Sequence, residues 1–349
     1  MVGKKIKYYR LKKGITVEEL ANEVGCTKAA ISLYENEERE PGLEVRKVIA
    51  KALDISWVEL CSRDSKDLFF NHVSFRKKQK ASKKDIDLLK MDIETRCANR
   101  IALMNIVGLI NFVTFKPKKL SFESSVSDNA KEIRTALKLP ISGPIYSITN
   151  VLERAGIIML SFECDEQIDG VNGFVNNIPY IFFNCKNKTI ERQRFTIAHE
   201  LCHLFFNNSV TDQSEKDIEK YINQVAGNVL IPASDLYAIF GRTNRNITPF
   251  LRNSIAVQYK VAPSCLLNRL LEAGIITEMY YKNYFIFLNK TCGRKGEKTL
   301  LDCVRDSEMP TIFTQQVYLA LSEELISMSK AAEFLNVPLY EVIQNMRAE

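Results

Sequence analysis

The sequence predicts a mainly α-helical chain carrying one small β-sheet, an α+β class, built as more than one domain. Three observations predict it. Residues 4–60 hold short apolar stripes at helical spacing, each opened by a capping residue. Two runs rich in β-branched and aromatic residues lie between 156 and 184. Helical patterning then returns over 187–230 and again over 315–347. A chain of 349 residues is long enough for two or three domains.

The elements follow in order. Lys4–Lys12 opens as a helix. Thr16 caps the next, with Glu19 completing a capping box, Leu20, Ala21 and Val24 forming its apolar stripe and Gly25 ending it. Thr27 caps a third helix, Lys28–Glu35. After the Pro41-Gly42 turn come a fourth, Glu44–Leu53, and a short fifth at Ser56–Cys61. Residues 62–84 read as a basic linker. Residues 85–155 read as helical, broken near Lys116-Pro117 and Pro140–Pro144. Gly156–Phe162 is a strand, and Gly173–Asn176 with Tyr180–Asn184 forms a hairpin around Asn177–Pro179. A helix starts at Asn187–Ile190 and runs to Phe206, and another covers Ser214–Leu230 and stops at Pro232. Residues 250–276 hold further helices. Tyr280, Tyr281, Tyr284, Phe285 and Phe287 make 279–290 read as strand. A helical tail spans Gln315–Arg347, and no clear internal repeat stands out.

Hydrophobic residues at 46% and charged residues at 26% are ordinary for a globular protein. No apolar run approaches the roughly 18 residues of a membrane span, and the N-terminus lacks the pattern of a signal peptide. The nine cysteines are an odd number without a C-x-x-C pair, which points to free thiols in a reducing, cytoplasmic compartment. Net charge is +6, unevenly spread: residues 1–61 carry 11 basic and 10 acidic side chains, whereas 62–84 carry 8 basic and 2 acidic. That segment reads first as a solvated linker and second as a phosphate-contacting arm.

The chemistry concentrates at His199-Glu200-Leu201-Cys202-His203. Histidines at i and i+4 share one helix face and can hold one zinc ion, with Glu200 beside that face as general base and then acid. Only three histidines occur, and the third, His72, has no assigned role. A catalytic zinc site needs a third protein ligand and an open position. With no histidine downstream, a carboxylate is expected: Glu219 is favoured, with Glu215, Asp217 and Asp212 as rivals and Asn223 placed to orient a ligand. Tyr221 and Arg192 are weak candidates for an oxyanion donor. Cys202 reads as a small residue chosen for packing.

In the N-terminal segment, Thr16 to Pro41 with Tyr34-Glu35 resembles an XRE/Cro-type helix-turn-helix, and that resemblance implies that Lys28–Glu35 enters the major groove of duplex DNA, with Lys28 and Ser32 as polar contacts and Ala29 against a thymine methyl. Lys12 belongs to an acid-free stretch of Lys4, Lys5, Lys7, Arg10, Lys12 and Lys13 suited to phosphates.

Two stretches carry a family resemblance. Tyr180–Asn184, Glu191–His203 and Ile218–Pro232 resemble the ImmA/IrrE metallopeptidases, and Glu219 falls on that family's ligand glutamate. Residues 1–60, most clearly Thr16 to Pro41 with Tyr34-Glu35, resemble the XRE/Cro-type helix-turn-helix domain. The tail Leu321–Met346 is similar to the helical C-terminal region of such proteins. Cys202 stands where the family usually has glycine, Ile222 replaces an alanine, Tyr221 replaces an acidic or polar residue, and Val17 replaces a DNA-contacting glutamine. The resemblance implies a helix-turn-helix domain at 1–61, the linker at 62–84, a zincin-like metallopeptidase domain at 85–240 and a helical region with strands at 241–349. It further implies a Zn2+-dependent endopeptidase that cleaves a helix-turn-helix repressor to induce stress or mobile-element genes. Two other classes compete: a transcription regulator that senses zinc or a ligand without turnover, and a module that simply holds a partner repressor. Neither requires a membrane.

Overall fold

A computed structural model of the chain describes residues 2–55, 57, 60, 68–77, 83–109, 115–164, 168–207, 209, 211–242, 246–292, 299–301 and 305–347. The chain divides into two compact units. The first comprises 1–69, 79–110 and 313–349, and the second 70–78 and 111–312.

The first unit opens with α1 (Val2–Lys13), α2 (Val17–Val24), α3 (Lys28–Glu35) and α4 (Leu43–Ala52). The capping box forms as expected: the Thr16 hydroxyl accepts from Glu19 N, and Glu19 accepts from Thr16 N. Gly25 ends α2 in the left-handed region at φ 74°, where glycine carries no Cβ penalty. Ile6, Leu20, Ala21, Ile31, Ile49 and Leu60 close the core. Of the expected fifth helix at Ser56–Cys61, only Trp57 and Leu60 lie within the described residues, and both are helical.

The rest of the unit is α5 (Lys83–Ile106), α14 (Ile312–Ser322), α15 (Met328–Leu335) and α16 (Leu339–Arg347). The tail holds a repeat that the sequence reading missed. Ser327 caps α15 through Lys330 N as Thr16 caps α2. Asn336 ends α15 at φ 54°, in the place of Gly25. Ala331, Ala332 and Val342 are buried where Leu20, Ala21 and Ile31 are. The turns before both pairs also match: Ile15 N bonds Arg10 O, and Leu325 N bonds Ala320 O. Helices α14–α16 therefore repeat the α1–α3 pattern, with Leu103 of α5 closing their core.

The second unit is built on one four-stranded sheet: β1 (Phe70–Lys77), β2 (Ile158–Phe162), β3 (Ile168–Val175) and β4 (Ile178–Asn184), in the order β1-β3-β4-β2. Strand β2 runs parallel to β4, and the other two pairs are antiparallel. Asn176 and Asn177, at φ 46° and 66°, make the two-residue hairpin turn, whose positive φ values match strand twist. All of β4 is buried, which explains the continuous apolar run Tyr180–Phe183.

The unit's helices are α6 (Val126–Ala136), α7 (Ile148–Arg154), α8 (Ile190–Phe206), α9 (Glu215–Leu230), α10 (Ala233–Phe240), α11 (Pro249–Tyr259), α12 (Pro263–Glu272) and α13 (Glu278–Cys292). Helix α8 packs on β3 and β4 on one side and on α9 on the other. Phe183, Ile197, Leu201, Phe205, Val225 and Val229 form the centre of the core. Beside it, Arg194 and Glu308 form an ion pair with no exposed side-chain surface. Glu308 also accepts from Ser147 Oγ and the N–H groups of Ile148 and Thr149, capping α7. Arg194 donates to the carbonyls of Ile145, Tyr146 and Lys260.

Two expectations are corrected here. Residues 279–290 are helical, within α13. Thr277 Oγ1 accepts from Tyr280 N, and Tyr280, Tyr281 and Tyr284 pack on the core, so tertiary contact overrides strand propensity. The segment 62–84 is not linker throughout, because Phe70–Lys77 pairs with β3. Its strand formers Phe70, Val73 and Phe75 were masked by the surrounding charge. Among the described residues, no helix is long and apolar enough to cross a membrane.

Candidate metal centre

Helix α8 is buried along most of its length, so its sequence is set by packing on several faces. Thr189 starts it, its hydroxyl accepting from Arg192 N. One helical turn separates His199 from His203, and their rings stand 4.7 Å apart at 72°. Helix α9, started by Ser214, brings Glu219 to the same point. The Nε2 atoms of the two histidines are 2.9 Å apart. Glu219 Oε2 is 3.5 Å from His199 Nε2, and Oε1 is 3.3 Å from His203 Nε2.

These three residues can present donor atoms to one metal ion. Donors at 2.0–2.1 Å around a tetrahedral ion lie about 3.3 Å from one another, so the observed separations fit such an ion. Asn223 Oδ1 lies 2.9 Å from His199 Nδ1. An amide oxygen only accepts, so Nδ1 carries the proton and Nε2 turns its lone pair to the cluster. His199 is fully buried, while His203 and Glu219 keep 14% and 31% of their side-chain surface exposed. The cluster is therefore reached from the His203–Glu219 side.

The rivals for the third position stand elsewhere. Asp217 accepts from Ser214 Oγ in the first turn of α9, and Glu215 and Asp212 are exposed. Glu200 is fully buried next to the cluster. Asn172 Nδ2 of β3 donates to Glu200 Oε2 at 2.6 Å. A Cβ at Gly170 would lie 2.7 Å from Glu200 Cγ, so only glycine lets β3 approach so closely. Neither residue was singled out from sequence. The available signal was a polar residue inside an otherwise buried strand and flanked by glycines, in Gly170-Val171-Asn172-Gly173.

The two weak oxyanion candidates are engaged in other contacts. Tyr221 Oη donates to Ser124 O and accepts from Asn129 Nδ2, and Arg192 bonds Asp169. Cys202 is fully buried, and burial pushes its thiol well above the usual range, as a packing residue requires.

The comparisons with known families place both halves of this arrangement. Residues 6–60 match a helix-turn-helix family model, and residues 153–271 match the peptidase family M78 model, described as the IrrE N-terminal-like domain. The chain joins a helix-turn-helix domain to an IrrE N-terminal-like domain. No curated protein matches it.

In the helix-turn-helix domain, α3 exposes Lys28, Ala29 and Ser32 together, the face a recognition helix turns outward. Lys28 Nζ lies 3.3 Å from Glu18, with both side chains largely exposed. Lys12 is exposed, with its ammonium over the Tyr8 ring. The basic stretch needs one correction. Arg10 is buried and gives Glu35 two bonds of 2.6 and 2.8 Å. A fork-to-fork pair of this kind holds α1 to α3 and removes Arg10 from any phosphate surface. Lys13 is turned to Asp54 and Ala52 O.

Proposed function

We propose that this protein is a zinc-dependent endopeptidase of the cytoplasm. Its substrate is a transcriptional repressor of the helix-turn-helix type, and its N-terminal domain binds duplex DNA. The observation that carries the reading is the convergence of His199, His203 and Glu219 on one point, with Glu200 adjacent and outside the donor set. When bound, the ion supplies Lewis acidity that polarises a carbonyl and acidifies water to a pKa of about 7. His199 and His203 would hold it through Nε2 with Glu219 as the third ligand, and Asn223 keeps the His199 tautomer. Glu200 takes the proton from the attacking water and returns it to the leaving amine. Asn172 and Gly170 fix the position of that carboxylate.

A second reading, a regulator that holds zinc without turnover, draws support from the complete burial of Glu200. One experiment separates the two. Wild type and Glu200→Gln are each co-expressed with a helix-turn-helix repressor of the same organism, and repressor fragments are blotted. Loss of the proton-transfer group lowers the rate by about 10²–10⁴-fold, so fragments are expected with wild type alone, at equal zinc content. Equal behaviour of the two forms removes the endopeptidase reading and leaves the regulator.

A further inference from the structure

Strand β3 is the strand that touches Glu200, through Gly170 and Asn172. One edge of β3 is bonded to β4 over an unbroken register from Gly170↔Phe183 to Val175↔Ile178. Its other edge is where an extended polypeptide would gain main-chain hydrogen bonds beside the general base. That edge is taken by β1, with Ser74 opposite Asn172 and Phe75 opposite Val171. The backbone of residues 74 and 75 therefore runs one strand spacing, about 4.8 Å, from the residues that hold Glu200.

Strand β1 is also the irregular neighbour. Its register with β3 shifts twice within eight residues, between His72 and Ser74 and between Phe75 and Lys77, and each irregularity interrupts the ladder. It lies at the end of the sheet, so it is paired on one side only.

We propose that the outer edge of β3 is the docking edge for the extended segment of the substrate, and that β1 is an internal occupant which the substrate must displace. The word substrate rests on the endopeptidase reading above. Recognition is by strand addition, in which main-chain bonds give affinity and alternate side chains give selectivity. A strand belonging to the same chain competes at an effective concentration on the order of millimolar, so a free peptide of ordinary affinity cannot enter while β1 is seated.

The test uses the full zinc-loaded chain and a fluorescent peptide of the sequence of residues 68–79, with a scrambled peptide as control. Ser74→Pro with Phe75→Pro removes two successive backbone donors, one of which faces β3. A second variant replaces residues 70–77 by alternating Gly and Ser at equal length. Both variants should bind the peptide at least tenfold more tightly than wild type, with unchanged zinc content and circular dichroism. They should also cut the co-expressed repressor faster. Enhanced peptide binding with no cleavage by any form upholds the docking edge and overturns the endopeptidase reading instead. Failure of a zinc-loaded, natively folded variant to take up the peptide better than wild type, or equal uptake of the scrambled peptide, overturns the proposal.

Discussion

Removing either partner of the Arg194–Glu308 pair should destabilise the second unit more than any surface change. Both side chains are fully buried. In Glu308→Met the guanidinium keeps three carbonyl acceptors but loses its counter-charge, and the N–H groups of Ile148 and Thr149 lose their acceptor. Breaking a buried pair on one side costs about 3–5 kcal/mol. With a urea slope of about 2 kcal/mol per molar, the unfolding midpoint should fall by about 1.5–2.5 M. Arg194→Met should cost a similar amount, because it strands the carboxylate. The double variant removes both charges, so its cost should fall short of the sum by about 2 kcal/mol or more. Zinc release during urea titration reports on the unit that holds the pair, and circular dichroism follows the whole chain. Arg194 lies on α8 five residues before His199, so the single variants should also bind zinc less tightly. Single costs below about 1 kcal/mol, or additivity within about 0.5 kcal/mol, would refute the reasoning.

The metal centre and the thiols give three shorter predictions. His199→Ala and His203→Ala should abolish zinc binding and Glu219→Ala should weaken it severely, while Asn223→Ala, which touches only the far nitrogen of His199, should lower affinity about 10–100-fold in a chelator competition. Asn172→Ala removes the donor to Glu200 and should cut turnover at least tenfold with zinc content unchanged, as read by elemental analysis beside the cleavage assay. Iodoacetamide at pH 8 should leave Cys97 and Cys202 unmodified in the native protein, because burial raises both thiols and little thiolate forms. Labelling should instead appear among the partly exposed Cys26, Cys164, Cys185 and Cys265, located by mass spectrometry.

What could be read from sequence was local. The His199–His203 spacing needs only one helical turn, the capping residues Thr16 and Thr27 start helices where expected, and the helices begun by Thr189 and Ser214 open within the expected bounds. Glu219 was legible because the apolar stripe of α9, through Ile222, Val225 and Val229, already says which face meets α8. What escaped depends on pairing between distant segments. Asn172 acquires its role only when β3 is laid against α8. The linker strand needs the edge of β3 as a partner, and its own charge argued for solvent. Arg10 looked like a phosphate contact because Glu35, its partner, stands on another helix. The tail repeat shares only caps, turns and a few buried positions with α1–α3, and Asn336 in place of Gly25 conceals its turn.

That repeat raises the question of whether the tail also reads DNA, and charge decides it. In the repeat, α16 stands where α3 does, exposing Leu339, Tyr340, Gln344 and Met346. Residues 312–347 carry Lys330 and Arg347 against Glu323, Glu324, Glu333 and Glu341, a net −2. The counterpart α1–α3, residues 2–35, carries seven basic and four acidic side chains, a net +3. Each phosphate neutralised by a cation steepens the salt dependence of binding by about one unit, and an acidic surface repels the duplex. Of the two repeats, only α1–α3 should therefore contribute to DNA binding. In the full chain, Lys12→Ala should weaken binding to every sequence and reduce the salt slope by about 1, whereas Lys28→Ala should relax sequence preference. Arg347→Ala and Tyr340→Ala should change neither affinity nor slope. Fluorescence anisotropy on a labelled duplex across a salt series measures all four. A slope reduced by Arg347→Ala as much as by Lys12→Ala would make the tail a second DNA contact and overturn the argument from charge.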